Sequence, residues 1–133
     1  MGMKIDVKNP PRTFTVKGAG IQDDLHDCAT IALAPNEQVT FVTDAGGEYD
    51  VTRKTWGYYA TPSTNGRLKG FGLRTALVRA SSGRFFVMII EADKQAAFHT
   101  YLADDKQELV CWLDDEEQLT RLTNAFRATE RDG

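Results

Sequence analysis

The chain is predicted to be an α+β protein in which a mostly antiparallel sheet comes first and helices come late. Short apolar runs with period-two alternation, separated by turn residues, fill the first two-thirds of the chain. Helical spacing of apolar residues appears only afterwards, in two segments that flank one more short apolar run. Many strands followed by a C-terminal β-α-β-α segment indicate α+β, and a barrel-like closure of the early strands fits the same pattern.

The length and composition of the chain exclude several classes of protein and of partner. A chain of 133 residues suits a single domain, residues 1–133, whose core needs no disulfide or metal. A formal net charge of −3 argues against nucleic acid and anionic membranes as partners. No apolar run reaches the length of a membrane span, and residues 1–10 lack the apolar part of a signal peptide. A cytoplasmic location is therefore predicted, with Cys28 and Cys111 as buried free thiols.

The strands are predicted from alternation between turn signals. Met3–Val7 and Thr13–Val16 are predicted to be separate short strands, because prolines at 10 and 11 lie between them. Residues 21–24 are predicted to be a loop, and residues 44–47 a hairpin turn. Further strands are predicted at Leu25–Leu33, Gln38–Thr43, Glu48–Arg53, Phe71–Ala80, Arg84–Glu91 and Glu108–Leu113, with Trp56–Ala60 either an extension or a strand of its own. Because Arg84–Glu91 is apolar on both faces, it is expected to lie centrally in the sheet.

Two helices are predicted near the end of the chain. Asp93 is a suitable N-cap for a helix over Lys94–Ala103. Asp114 and Glu117, at nearly the spacing of a capping box, are predicted to begin the final helix. The residues predicted to face the core are Ala97, Phe98, Tyr101 and Leu102 in the first helix and Leu119, Leu122 and Phe126 in the second.

Charge is distributed unevenly along the chain. Residues 1–50 carry four basic and eight acidic residues, and residues 91–133 carry five and eleven. Residues 51–90 contain no Asp or Glu and seven basic residues, which are Arg53, Lys54, Arg67, Lys69, Arg74, Arg79 and Arg84. Such a segment is either an anion-facing surface or the neutralising partner of the acidic flanks.

Candidate ligand-binding residues lie within this basic segment. Trp56 and Tyr58 are two residues apart on a predicted strand, which suits stacking on a sugar or base ring, or else core packing or a protein interface. Small neighbours on its strand face leave room for Arg74 to hold a phosphate or carboxylate, and the alternative is an ion pair with an acidic residue of the flanks. The predicted ligand-binding residues are Trp56, Tyr58, Asn65, Arg67, Lys69 and Arg74.

The glycine-rich stretch from Gly66 to Gly72 has the composition of a phosphate-cradling loop. It lacks the Walker spacing, and it is expected to lead into a strand rather than a helix. The alternative is a flexible connection. Residues 23–27, Asp-Asp-Leu-His-Asp, are the densest group of metal-capable side chains, but their spacing does not make them converge. No metal or cofactor is therefore predicted.

Three functions are compatible with the sequence. The first is a small cytoplasmic binding domain for an anionic small molecule, of the nucleotide- or phosphate-linked sugar type. The second is a protein-interaction or homodimerisation module that uses the same aromatic residues. The third is a small enzyme in which Arg67 or Arg74 clamps an anionic substrate and His26 or His99 carries a proton.

Overall fold

The computed structural model describes residues 2–132, with side chains described as far as residue 130. The fold comprises two compact units, Met1–Thr61 and Pro62–Gly133, and the assignment of residues 1–133 to a single domain stays a prediction. The α+β class is confirmed, since the sheets are antiparallel throughout the described residues and helices accompany them. The strands form three open sheets of two, three and three strands, and no closed barrel occurs within residues 2–132.

The first sheet is a long hairpin of two strands, β1 (Lys4–Lys17) and β2 (Gln22–Ala32). Its strands pair as far as Lys17 and Gln22, so the loop predicted at residues 21–24 is wrong for residues 22–24. Those residues extend the strand because residues 15–17 of β1 lie opposite them and supply ladder partners.

The two prolines do not divide this hairpin, so the prediction of two separate strands at Met3–Val7 and Thr13–Val16 is wrong. β1 runs through Pro10 and Pro11, and its register against β2 shifts between Val7 and Arg12. Proline has no N–H to donate, so a short stretch outside the ladder accommodates it without the loss of a hydrogen bond.

The second sheet is a meander of three strands, β3 (Gln38–Val42), β4 (Glu48–Lys54) and β5 (Gly57–Ala60). The hairpin turn predicted at residues 44–47 is confirmed. Thr43 N–H donates to the Gly47 carbonyl oxygen at 2.8 Å. Gly46 has a φ of 88°, in the left-handed region that glycine adopts without steric cost.

The buried side chains of the meander are polar. Asp50 and Thr52 of β4 are both buried. Thr40 Oγ1 donates to Asp50 Oδ1 at 2.7 Å, and Thr52 Oγ1 donates to Gln38 Oε1 at 3.0 Å. The hydroxyls of Thr52 and Thr61 lie 2.6 Å apart. These bonds offset the cost of removing the polar groups from water.

The third sheet has β6 (Leu73–Arg79) at its centre, between β7 (Phe85–Glu91) and β8 (Glu108–Trp112). The expectation that residues 84–91 form a central strand is wrong, because β7 lies at the edge. Apolar residues on both faces of a strand do not require a neighbouring strand on each side, and the large residues at the start of β7, Phe85, Phe86 and Val87, are exposed.

The core of the second unit lies between this sheet and α2 (Gln95–Asp104). Its buried members are Ala76, Val78, Ile90, Leu102 and Trp112, with Met88, Phe98 and Leu109 packed against them. Within the predicted stripe of α2, Leu102 and Phe98 contact the core, whereas Ala97 and Tyr101 are exposed. The helix therefore covers one face of the sheet through Phe98 and Leu102, one turn apart.

Both predicted helix caps are displaced from their expected positions. Asp93 lies in a 3₁₀ turn, Ala92–Lys94, and does not cap α2. The final helix, α3 (Glu116–Asp132), is capped by Asp115, whose Oδ1 accepts the Gln118 N–H at 3.0 Å. The predicted cap, Asp114, is instead buried in the second unit.

The predicted buried face of α3 is wrong over most of its length. Leu122 and Phe126 are exposed, and only Leu119 at the start of the stripe is partly buried. The amphipathic spacing is present, but residues 120–130 are all exposed. Within the described residues, no helix combines the length and the apolar character needed to cross a membrane.

Replacing Asp115 tests its role as the N-cap of α3. Asp115→Ala removes the acceptor for the Gln118 N–H, and loss of an N-cap costs about 1 kcal/mol. We expect the Gln118 amide to exchange with solvent about five-fold faster, measured by hydrogen exchange with NMR detection. Glu117→Ala in the same helical turn is the control. Equal acceleration by both variants would contradict the assignment of Asp115 as the cap.

Candidate functional site

The six predicted ligand-binding residues are divided between the two units. Trp56 and Tyr58 belong to the first unit. The other four belong to the second unit and are Asn65, Arg67, Lys69 and Arg74.

The aromatic residues of the first unit are open to solvent. Trp56, in the turn between β4 and β5, is 71% exposed, and Tyr58 on β5 is 60% exposed. The core-packing alternative therefore does not apply to either side chain. The Arg53 guanidinium lies 4.9 Å from the centre of the Tyr58 ring, and the Trp56 and Tyr59 rings lie 6.1 Å apart. Such a group can contact a ligand or a protein partner.

Arg74 is held on all sides by groups of its own chain. Its Nε and Nη2 donate to the two carboxylate oxygens of Asp114 at 3.1 and 3.0 Å. Nη1 donates to Gln95 Oε1 at 3.1 Å. The guanidinium carbon lies 3.7 Å from the centre of the Trp112 ring, in a cation–π contact. The anion bound by Arg74 is thus a carboxylate from the acidic C-terminal flank, which is the ion-pair alternative.

Asp114 is the more deeply buried partner of this pair. Its side chain is 1% exposed, compared with 24% for Arg74. Besides the two bonds from Arg74, it accepts the Thr75 backbone N–H at 3.2 Å. A bidentate pair with a further backbone donor satisfies a buried carboxylate, and it joins β6 to the turn that precedes α3.

The remaining predicted residues surround the short helix α1 (Arg67–Gly70). Asn65 Nδ2 donates to Glu116 Oε1 at 2.9 Å, while Arg67 and Lys69 are exposed on the helix. The glycine-rich stretch Gly66–Gly72 leads directly into β6 at Leu73, as expected, and it contains one helical turn of its own. A Cβ on Gly66 would lie 2.3 Å from Ser63 Oγ, so a side chain there would displace the Ser63 hydroxyl.

The histidines and cysteines do not form a reactive centre within either unit. His26 Nδ1 lies 3.0 Å from Thr13 Oγ1, and His99 Nε2 lies 3.4 Å from Gln95 Nε2. Both cysteines are free, and Cys28 is exposed, so its predicted burial is wrong. In the described part of the chain, no three His, Cys, Asp or Glu side chains cluster closely enough to hold a metal ion.

Sequence reasoning missed an apolar surface on the hairpin. Ile5 lies opposite Ile31, and Phe14 lies opposite Leu25. Directly opposite residues share a face, and alternation adds the remaining members. This surface, the hairpin face, consists of Ile5, Val7, Phe14, Val16, Leu25, Ala29 and Ile31. The exposed fractions are 53% for Ile5, 69% for Val7, 42% for Phe14, 45% for Val16 and 45% for Leu25.

The opposite face of the hairpin is polar. Thr15 Oγ1 donates to Asp24 Oδ1 at 2.7 Å, and Thr13 contacts His26 in the neighbouring pair. Lys4 and Asp6 lie on the same side. Because one face is polar and the other apolar, the hairpin has the pattern of a sheet that packs on a second layer.

Within the first unit, the described residues supply no second layer over the hairpin. None of residues 4–32 is buried, although Ala29 and Ile31 are partly covered. A two-stranded hairpin alone is at best marginally stable in water, because it buries too little apolar surface. The signal in the sequence is the apolar alternation on each side of the prolines, odd-numbered before them and even-numbered after them, and only the register shift brings the two sets to one face.

One ionic group lies within the hairpin face. Asp27 accepts a hydrogen bond from Lys8 Nζ, and Arg12 Nη2 lies 3.1 Å from the same carboxylate oxygen. The Lys8 hydrogen bond, aided by the positive charges of Lys8 and Arg12, holds the pKa of Asp27 below its ordinary value of 3.8 against the opposing effect of partial burial. These contacts join the two halves of β1 to β2 at the register shift.

Comparison with known proteins finds no family model, no curated protein and no solved structure that matches the chain.

Breaking the buried ion pair tests its structural role. Arg74→Met keeps much of the side-chain volume over Trp112 but leaves the Asp114 carboxylate buried without its partner. We expect the free energy of unfolding to fall by about 3–5 kcal/mol, measured by urea denaturation. Arg79→Met, exposed on the same strand, is the control and should change stability by less than about 0.5 kcal/mol. A small effect at position 74 would contradict this role.

The lowered pKa of Asp27 predicts a pH dependence of the hairpin. The ionised carboxylate stabilises the folded hairpin above the unfolded value of 3.8, and this contribution is lost as pH falls through the lower folded pKa. We expect an NMR titration of Asp27 to have its midpoint below 3.8 and hairpin amide protection to decline over the same range. Asp27→Asn should abolish this dependence, whereas Asp6→Asn should retain it. A midpoint at or above 3.8 would be incompatible with the ion cluster.

Proposed function

We propose that the chain is a protein-interaction module that docks a protein partner on the hairpin face. The observation that carries this proposal is the uncovered apolar face of a two-stranded sheet. Five of its apolar side chains are 42% to 69% exposed. Of the three functions compatible with the sequence, this is the protein-interaction or homodimerisation module.

The energetics of the hairpin support a docking role. Full burial of a Val, Leu, Ile or Phe side chain contributes about 1.5–3 kcal/mol relative to exposure. Covering five half-exposed side chains therefore gains several kcal/mol, which is comparable with the net stability of a small domain. A partner that supplies the second layer stabilises the hairpin and gains affinity from the same contacts.

The aromatic group of the same unit supports the same class of function. Trp56, Tyr58 and the Arg53 stacked on Tyr58 are of the residue types enriched at the centres of protein interfaces. Their exposure fits an interface as well as it fits a stacked ligand. They are a second candidate contact region within the first unit.

Binding of an anionic small molecule stays a prediction, and it has less support than docking of a protein. The cytoplasmic location also stays a prediction. Arg74 and Asn65 already bond carboxylates of their own chain, so a ligand must compete with Asp114 and Glu116 for them. The enzyme hypothesis, with Arg67 or Arg74 as the clamp and His26 or His99 as the proton carrier, also stays a prediction. Gln95 links Arg74 to His99, but this link uses an amide that neither gives up nor accepts a proton in ordinary acid–base catalysis.

Site-specific photo-crosslinking in the cells that express the protein tests the proposal. A photoreactive residue at Val7 lies on the hairpin face, and the matched control at Thr30 is exposed on the opposite face of the same hairpin. We expect one discrete protein adduct from position 7 and none from position 30. Equal labelling from both positions, or no adduct from position 7, would count against a docking role.

A further inference from the structure

We infer that the occupant of the hairpin face is a second copy of this chain, packed face to face on the first. This inference rests on the proposed function and names its partner. Two identical hairpins then form the two layers of a small β-sandwich. The apolar side chains lie between the layers, and the polar faces remain in water.

The area of the hairpin face is sufficient for such a pair. From their exposed fractions, Ile5, Val7, Phe14, Val16 and Leu25 leave about 500 Å² open on one chain, so a symmetric pair buries at most about 1,000 Å², the lower limit for a specific interface. A weak, concentration-dependent dimer is expected from an interface of this size.

The charges on the hairpin face are compatible with self-association. Register places Arg12, Asp27 and Asp23 on this face, and Lys8 contacts Asp27. Two positive and two negative groups leave the face without net charge, so two copies do not repel each other. Asp27 already has its cationic partners within the chain and needs none from the other copy.

The geometry of a two-stranded sheet also favours an identical sheet as the second layer. Sheets pack face to face about 10 Å apart, with their side chains interdigitated and their strands nearly aligned. The hairpin face combines large residues such as Phe14 with small ones such as Ala29. A two-fold axis brings the large side chains of one copy over the small ones of the other, as close packing requires.

Sedimentation velocity on the full chain across a range of concentrations tests this inference. We expect a reversible monomer–dimer equilibrium that Phe14→Lys weakens at least about ten-fold, because a buried unpaired charge opposes association. Val7→Thr retains a β-branched side chain and controls for misfolding, since it should weaken the dimer while preserving the hairpin. Thr15→Lys, on the polar face, should leave the equilibrium unchanged.

The possible outcomes separate this inference from the proposed function. Suppose that the chain is a monomer at every concentration and that Val7 crosslinks to a different protein. The inference that a second copy occupies the hairpin face is then wrong, but the docking role stands. A monomer without any Val7 adduct overturns both. A dimer that is insensitive to Phe14→Lys and Val7→Thr also overturns the inference, because association then uses another surface.

Discussion

The second unit depends on the ion pair between Arg74 and Asp114. Asp114 is almost fully buried, and a carboxylate in that position is tolerated only because each oxygen has donors. Arg74 in turn lies on the Trp112 ring and donates to Gln95. One guanidinium therefore joins the central strand to α2, to β8 and to the turn before α3. The position of the last helix follows from this contact, because Asp115 begins α3 directly after Asp114.

The first unit has the opposite distribution of polar and apolar groups. Its buried side chains include Asp50 and Thr52, which are bonded to neighbouring hydroxyl and amide groups, while large apolar residues lie on open sheet faces. A satisfied polar network gives a sheet specificity of register but little of the free energy that apolar burial supplies. The exposed apolar residues of this unit thus contribute little to the stability of its fold.

Much of the fold was predictable because period-two alternation reports directly on strands. β3, β4, β6 and β8 lie within a few residues of their predicted bounds, and the turn at residues 44–47 was identified from its glycines. Errors arose where tertiary contacts decide between local alternatives. Asp114 and Asp115 are both capable caps, and only the pairing with Arg74 assigns the first to the interior.

The candidate site was predictable in part. For Arg74 the sequence left two alternatives, a ligand anion and a carboxylate of the acidic flanks. Sequence alone could not decide between them, because the carboxylate that pairs with Arg74 lies 40 residues away. The predicted burial of Leu122 and Phe126 failed because helical spacing identifies an apolar stripe without supplying a neighbour to cover it. The hairpin face could not be predicted because its residues come from two strands and not from one helix. Its members lie on two strands, and the register that aligns them is a long-range property.

The paired prolines of β1 have a consequence for how an uncovered hairpin avoids uncontrolled polymerisation. A strand edge with a continuous row of free N–H groups is a template for adding further strands, and an apolar face increases that hazard. Pro10 and Pro11 lie near the middle of β1, where the register also shifts, and one of the two adjacent missing donors belongs to the free edge. The row of N–H groups along this edge is interrupted there, which hinders the addition of a further strand.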